Sequence, residues 1–272
     1  MRHHRGTWLM VWIYPIGMTL ILAGVLIYNV VSGSVESEAA DTTAAWIRDT
    51  TMLWHAPGSG PGRVLVAGFA ALLFAGESNW NTWKLVIPAR SRWHLIAAKW
   101  AVAIGFVFVA LLMANLIVLA GEWLRSLQGA AIPTGVTTGA VIEAHIRAAA
   151  YSLLPIAYAV SFAGLVALLT GSILATVIAS IALVFLEGLL GIIGVFFYAN
   201  APGLTRFLIE FLPPYHMSNM TSWAFEGAGL ILPLGVDAAI SLPWATSLSA
   251  MIAWIAAASA ASLFSFMKKD IN

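Results

Sequence analysis

The chain has 272 residues, of which 61% are hydrophobic and only 9% are charged. Soluble proteins carry about 45–50% apolar and about 25% charged residues, so a soluble fold of this composition would expose large adhesive patches. Intrinsic disorder is excluded because it requires low hydrophobicity and high charge. A net charge of +1 with scattered Lys and Arg gives no footprint for nucleic acid, and the absence of cysteine excludes disulfides and thiolate metal sites. The composition therefore predicts an all-α integral membrane protein.

Apolar stretches of about 20 residues, the length that crosses a bilayer as a helix, recur along the chain. The second stretch has a short uncharged run, so it reaches full length only if Arg63 snorkels at one end and Glu77 lies at the other membrane boundary. The first stretch is too long for the apolar part of a cleavable signal peptide. We expect a single transmembrane domain over residues 1–272 with six spans, at residues 8–31, 57–76, 95–120, 148–169, 173–197 and 243–266.

Lys and Arg residues are more frequent on the side of the N-terminus, which predicts that both termini are cytoplasmic. On that side the one substantial loop covers residues 77–94. The longest segment on the other side, residues 198–242, contains an alternating stretch at residues 204–220, which predicts an amphipathic outer helix ended by the double proline Pro213-Pro214. Residues 228–236 are apolar but too short to cross, so we expect a re-entrant or interfacial piece there.

The cytoplasmic loop combines aromatic and basic residues in a short amphipathic element. Pro88 breaks this element because proline lacks a backbone N–H and restrains the preceding residue. By physical reasoning alone the loop is a membrane-surface helix with basic anchors. Its candidate functional residues are Glu77, Trp80, Trp83, Lys84, Arg90 and Arg92.

This loop resembles the corresponding loop of the type-2 ABC exporter permeases. The resemblance rests on Glu77, the Thr-Trp-Lys run at residues 82–84, Pro88, Ser91-Arg92 and Lys99, all between the second and third expected spans. It implies a permease-like bundle of six helices in a bacterial plasma (inner) membrane. It also implies that a second permease subunit, identical or homologous, and a dimer of ABC ATPase subunits complete the complex. The candidate loop residues would then dock on the ATPase and transmit its movement.

The chain itself has no phosphate-binding loop of the Gly-Lys-[Ser/Thr] type, because its four lysines follow Trp, Ala, Met and Lys. We therefore expect this chain to bind no cofactor, with ATP and Mg held by the partner ATPase. The six histidines are scattered without ligand spacing, so no metal site is expected, and no catalytic motif is present.

Glu187 lies in the middle of the fifth expected span, where a charged side chain costs about 2.5–3.5 kcal/mol. Two interpretations stay open. Glu187 is either a polar contact in a transport path or subunit interface, or a protonated carboxyl bonded to a neighbouring helix. Gly188, Gly191 and Gly194 follow at three-residue spacing, which favours close helix packing. In the resembling family this span contributes to the dimer seam.

The first functional hypothesis is a permease subunit that moves an amphipathic or apolar compound (an antibiotic peptide, a lipid or a drug) outward. The alternatives are an integral-membrane lipid-modifying enzyme and a non-transporting immunity or sensor subunit of an ABC complex. An enzyme of that kind is expected to cluster Asp, Glu or His at one membrane face, whereas the sequence offers an isolated Glu187.

Overall fold

The computed structural model describes residues 5–32, 42–79, 91–234 and 238–268, and it describes only the main chain of residues 5–11, 77–79 and 190–195. Helices dominate the described residues. In chain order the elements are α1 (Arg5–Ser32), α2 (Thr43–Thr51), a 3-10 helix (Met52–Gly58), α3 (Gly60–Asn79), α4 (Arg92–Leu127), α5 (Thr138–Thr170), α6 (Ile173–Tyr198), α7 (Pro202–Phe211), α8 (Pro213–Phe225), β1 (Leu232–Pro233), β2 (Ala239–Ile240) and α9 (Trp244–Lys268).

Within the described residues, four helices are long and apolar enough to cross a membrane, namely α1 from Trp12 onward, α4, α5 and α9. The number is five if the helices on either side of Ser59 count as one broken span. Each of the six stretches expected to span lies on helical structure. The fold is therefore all-α with several membrane-spanning candidates, as the composition predicts.

The chain divides into two compact units, of which the first comprises Met1–Ala56 and Phe106–Ser152. In this unit Trp54 is buried and its ring lies 5.4 Å from the ring of Phe108. The helix α2 was not expected from the sequence. It begins after Thr42, which acts as its N-cap residue. The Thr42 hydroxyl accepts the backbone N–H of Ala45 at 3.1 Å, as an N-cap residue does.

The second unit comprises Pro57–Gly105 and Leu153–Asn272. Here α3 packs along α6, and α8 packs against α9. The turn between α5 and α6 is tight because Gly171 adopts φ +67°, a conformation that favours glycine, and Ser172 caps the start of α6. A Cβ on Gly60 would lie 3.0 Å from Cγ1 of Val184, so α3 and α6 approach closely at this level.

The double proline separates two helices rather than only ending one. The helix α7 ends at Phe211, as the double proline predicts, but a second helix, α8, begins at Pro213 and was not expected. Leu212 between them is extended (φ −85°, ψ 149°), the conformation that a following proline favours. Prolines are tolerated in the first turn of a helix because the N–H groups there lack intrahelical partners. The described part of residues 228–236 contains the two-residue strand β1, which pairs antiparallel with β2.

A buried polar network joins α8 to the start of α9. His216 Nε2 lies 2.7 Å from the main-chain oxygen of Glu210 and Nδ1 lies 3.1 Å from Oγ of Ser247. Because a carbonyl only accepts, Nε2 carries the proton and Nδ1 accepts from the Ser247 hydroxyl. Asn219 donates to Ser247 Oγ at 2.7 Å and to the Leu242 carbonyl at 3.0 Å. The neutral ring of His216 is therefore built into the packing of this region.

We predict that stability falls with acidification through His216, which lies outside the candidate spans. Burial lowers the pKa of His216 below its ordinary value of about 6.5, and the opposing hydrogen bond to the Glu210 carbonyl is the smaller effect. The unfolded chain therefore binds the proton first, so stability is complete above about pH 6.5 and declines as pH falls towards the lowered folded value. Thermal unfolding midpoints in detergent between about pH 7 and about pH 5 measure this slope.

His216→Gln is the matched control, because it keeps a polar side chain but cannot titrate. Its unfolding midpoint should be lower at neutral pH and should vary less with pH than that of the unaltered chain. An equal acid slope in both proteins would assign the pH dependence to other groups.

Candidate site at a buried ion pair

The site is built around a charged contact between α3 and α6. Arg63, in the first turn of α3, donates through Nη1 to Oε2 of Glu187 in the middle of α6. Both side chains are withdrawn from the surface, with exposed fractions of 12% for Arg63 and 5% for Glu187. The two residues are 124 positions apart in sequence, and the packing of α3 along α6 brings them together.

Tyr158 on α5 completes the contact. Its hydroxyl donates to Oε1 of Glu187 at 2.8 Å, so each carboxylate oxygen of Glu187 has its own donor. Tyr158 is itself buried. The three side chains consequently connect α3, α5 and α6 through one acidic residue.

Glu187 is bonded to neighbouring helices of the same chain, through Arg63 on α3 and Tyr158 on α5. A guanidinium stays protonated in proteins, so the charge of Arg63 has the acidic side chain of Glu187 as its partner. A role of Glu187 in a transport path or subunit interface stays a prediction. The side chain of Arg63 turns inward to Glu187. Pairing of this kind is how charges inside a span are accommodated.

An apolar pocket of about 440 Å³ adjoins the ion pair. Its volume lies within the range of about 300–1,000 Å³ typical of ligand sites. Tyr158 and Glu187 stand at its wall, and the remaining lining is hydrophobic, with small residues contributed by α9. These other lining residues are Phe162, Leu165, Leu183, Leu186, Leu212, Pro213, Pro214, Trp254, Ala257, Ala258 and Ala261.

Two basic residues at the start of α4 contact other helices of the same unit. Arg92 donates through Nη1 to the carbonyl of Met267 at 2.8 Å and to that of Phe266 at 3.4 Å. A cation at the last carbonyls of a helix is favourable because those groups lack intrahelical partners and carry the negative end of the helix dipole. Lys99 donates to the carbonyl of Leu73 on α3 and lies 5.7 Å from the ring centre of Phe74.

The structure describes only part of the predicted site. Of the candidate loop residues it describes the side chain of Arg92. Gly188 is exposed and a Cβ there would meet nothing within 4 Å, so it makes no close helix approach among the described residues. The predictions that lie outside the described side chains concern Glu77, Trp80, Trp83, Lys84, Arg90, Gly191 and Gly194.

Sequence reasoning missed Arg63 and Tyr158 as partners of Glu187, which it treated as isolated. The only available signal was that Arg63, at the edge of an apolar stretch, needs a counter-charge. Among the described residues no group of three or more His, Asp or Glu is placed to hold a metal ion. The Ser247 and His216 side chains touch, but both are fully buried and serve the α8–α9 packing. Asn219, the first residue of the triplet Asn219-Met220-Thr221, which matches a glycosylation acceptor, is also fully buried.

Comparison with protein-family models gives no match, and comparison with curated proteins gives none either. The class of the molecule therefore follows from its own structure. Its long apolar helices fit a multi-pass, all-α protein embedded in a membrane.

We predict that breaking the ion pair from one side is far more damaging than removing it. Arg63→Met or Glu187→Leu alone leaves a buried charge without its partner, which costs about 3–5 kcal/mol, whereas replacing both by apolar residues is close to neutral. The double variant should therefore unfold at a higher temperature in detergent than either single variant. Thermal unfolding of the four proteins forms the required double-mutant cycle.

The exposed pair Arg206–Glu210 on α7 supplies the control. Arg206→Ala should leave the unfolding temperature nearly unchanged, since exposed pairs contribute little. Additive effects of Arg63→Met and Glu187→Leu would mean that the contact does not hold the helices together.

Proposed function

We propose that this chain is the membrane-spanning permease subunit of an ATP-driven exporter similar to the type-2 ABC exporters. In this proposal two permease subunits and two ATPase subunits form the complex in a bacterial plasma membrane, with both termini of this chain cytoplasmic. The cargo is an apolar or amphipathic compound. ATP and Mg belong to the partner ATPase, and this chain supplies the path through the membrane.

The observation that carries the proposal is the way in which the borders of the loop at residues 77–94 are tied to the helices. Arg92, at the C-terminal border of the loop, donates to the Met267 carbonyl in the last turn of α9. Lys99, seven residues further along α4, donates to the Leu73 carbonyl on α3. A force applied to this loop by a docked ATPase would therefore act on α3, α4 and α9 together. This is the mechanical connection that an external nucleotide motor requires.

The proposal includes six membrane spans. The helix α6 has 26 residues, which exceeds the length of about 20 needed to cross, and its described ionisable residue is neutralised by Arg63. We therefore count α6 as a span, together with α1, α4, α5, α9 and the broken pair around Ser59. Six crossings place both termini on one side of the membrane.

Exposed apolar faces offer room for a second permease subunit. Along α6, large side chains at Leu174, Ile178, Ile181 and Phe185 are at least half exposed and follow one another at helical spacing. The face of α1 that bears Leu20 and Ile27 is similarly exposed. In the proposed exporter these faces contact lipid or the second subunit, and the first and fifth spans are those that the resembling family places at the dimer seam.

We predict that Trp83→Ala combined with Lys84→Ala abolishes recruitment of the ATPase. Aromatic anchors dominate interface energies, so their loss should reduce co-purification of a nucleotide-hydrolysing subunit from detergent-solubilised membranes by about tenfold or more. Trp244→Ala is the control and should leave recruitment unchanged, because Trp244 begins α9 and lies at the opposite end of that helix from the Arg92 contact. Retention of the ATPase by the double variant, or absence of any ATPase with the unaltered chain, would remove the proposal.

A second variant separates docking from transmission. Arg92→Gln removes the charge at the end of α9 but leaves the loop tryptophans intact, so the ATPase should still bind. Transport-stimulated ATP hydrolysis in liposomes should fall, and Arg92→Lys should restore part of it because the cation returns without the planar guanidinium. Equal activity of Arg92→Gln and the unaltered chain would show that α9 is not driven through this contact.

A further inference from the structure

We infer that the pocket between α5, α6, α9 and the start of α8 binds an acyl chain of a bilayer phospholipid. As a statement about cargo, namely that the exporter moves a lipid, the inference rests on the proposed function. Binding itself is a property of this chain alone and is measured without any ATPase.

The pocket is uncharged and offers its occupant little polarity. The Glu187 carboxylate is neutralised by Arg63, and the donor of the Tyr158 hydroxyl is used by Glu187. The rest of the wall is aliphatic, aromatic or proline. A charged or strongly polar ligand would lose its hydration without gaining partners, so the complementary occupant is hydrocarbon.

Water is a poor filler for such a space. A buried water needs about two to four polar partners, and apolar cavities of comparable chemistry stay dry. An empty pocket would in turn forfeit the dispersion contacts of every atom that lines it. Between membrane-spanning helices the surrounding hydrocarbon is lipid, so the most abundant molecule able to fill the space is an acyl chain.

An exposed apolar stripe on α7 leads to the wall of the pocket. On α7 the side chains of Leu204, Phe207 and Phe211 form one stripe and are between 51% and 60% exposed. The adjacent side carries the exposed Arg206–Glu210 pair, so α7 presents both an apolar and a charged side, as a helix that lies in the lipid interface does. Phe211 then contacts Trp254, with ring centres 5.4 Å apart, and Trp254 lines the pocket.

The continuity of this apolar surface distinguishes lipid from other apolar occupants. The stripe on α7 places the entrance beside bilayer chains, and Leu212 to Pro214 directly after it form part of the pocket lining. The indole N–H of Trp254 donates to the Phe211 carbonyl at 2.9 Å, which fixes the ring at the junction. An acyl chain that moves along α7 towards the pocket therefore contacts apolar side chains throughout.

The test uses the full chain in liposomes of phosphatidylethanolamine and phosphatidylglycerol that contain a phosphatidylcholine with a diazirine near the end of one acyl chain. After illumination, labelled peptides are identified by mass spectrometry. We expect labels on the pocket-lining parts of residues 183–187 and 254–261. The same lipid with the diazirine on its headgroup should not label them.

A matched pair of variants then tests the pocket itself. Ala261→Trp fills the space, whereas Ala260→Trp places the same bulk on the neighbouring exposed position that does not line it. Labelling of Leu183 and Glu187 should fall about tenfold in the first variant and remain within about twofold in the second. Equal labelling in both variants would overturn the inference. So would unaltered protein labelled only on the outer faces of α1 and α6.

The outcome is separable from that of the exporter proposal. Pocket labelling together with no recruited ATPase would keep the lipid site and remove the exporter. A recruited ATPase with an unlabelled pocket would keep the exporter and remove the lipid site.

Discussion

The contact between Arg63 and Glu187 is the interaction on which the arrangement of α3, α5 and α6 depends. Hydrocarbon provides no hydrophobic force between helices, because lipid tails are as apolar as leucine. Apolar helices alone could therefore slide along one another at small cost. A slide of α3 by one turn, about 5.4 Å, would separate the two charges and leave both buried without partners. The ion pair consequently gives α3 and α6 a single register.

A close approach between the same two helices lies near the ion pair. Gly60 lies three residues before Arg63, and Val184 lies three residues before Glu187, so both contacts are on the same faces of α3 and α6. Tyr158 extends the constraint to α5 by donating to the remaining carboxylate oxygen. The acidic side chain of Glu187, paired with Arg63 and bonded to Tyr158, therefore connects three helices.

The sequence predicted the elements far better than their contacts. Apolar stretches of span length mark α1, α4, α5, α6 and α9, because hydropathy over about 20 residues reflects the thickness of the bilayer. The pairing of Arg63 with Glu187 was not predictable, since the rotation of a helix about its axis is set by neighbours that lie far away in sequence. That rotation decided whether Arg63 turned outward to the lipid interface or inward to Glu187.

Local signals were ambiguous for α2 and α8. Thr42 is a good N-cap residue, but the sequence after it is too polar to predict a membrane span. The double proline was interpreted as the end of a helix, although proline is equally suited to the first turn of the next one. The network of His216, Asn219 and Ser247 shows why the second alternative holds, because it needs α8 as a helix against the start of α9.

In the proposed exporter the loop, the ion pair and the pocket belong to one connected set of contacts. Arg92 holds α9 at Met267, about 9 Å along the helix from the pocket residue Ala261. Lys99 holds α3 at Leu73, about 15 Å from Arg63. Since α3 and α9 have no interior proline beyond their first turn, each moves as a rod over these distances. Glu187 is both a pocket residue and the partner of Arg63, so a displacement of α3 relative to α9 changes the pocket wall and strains the ion pair at the same time.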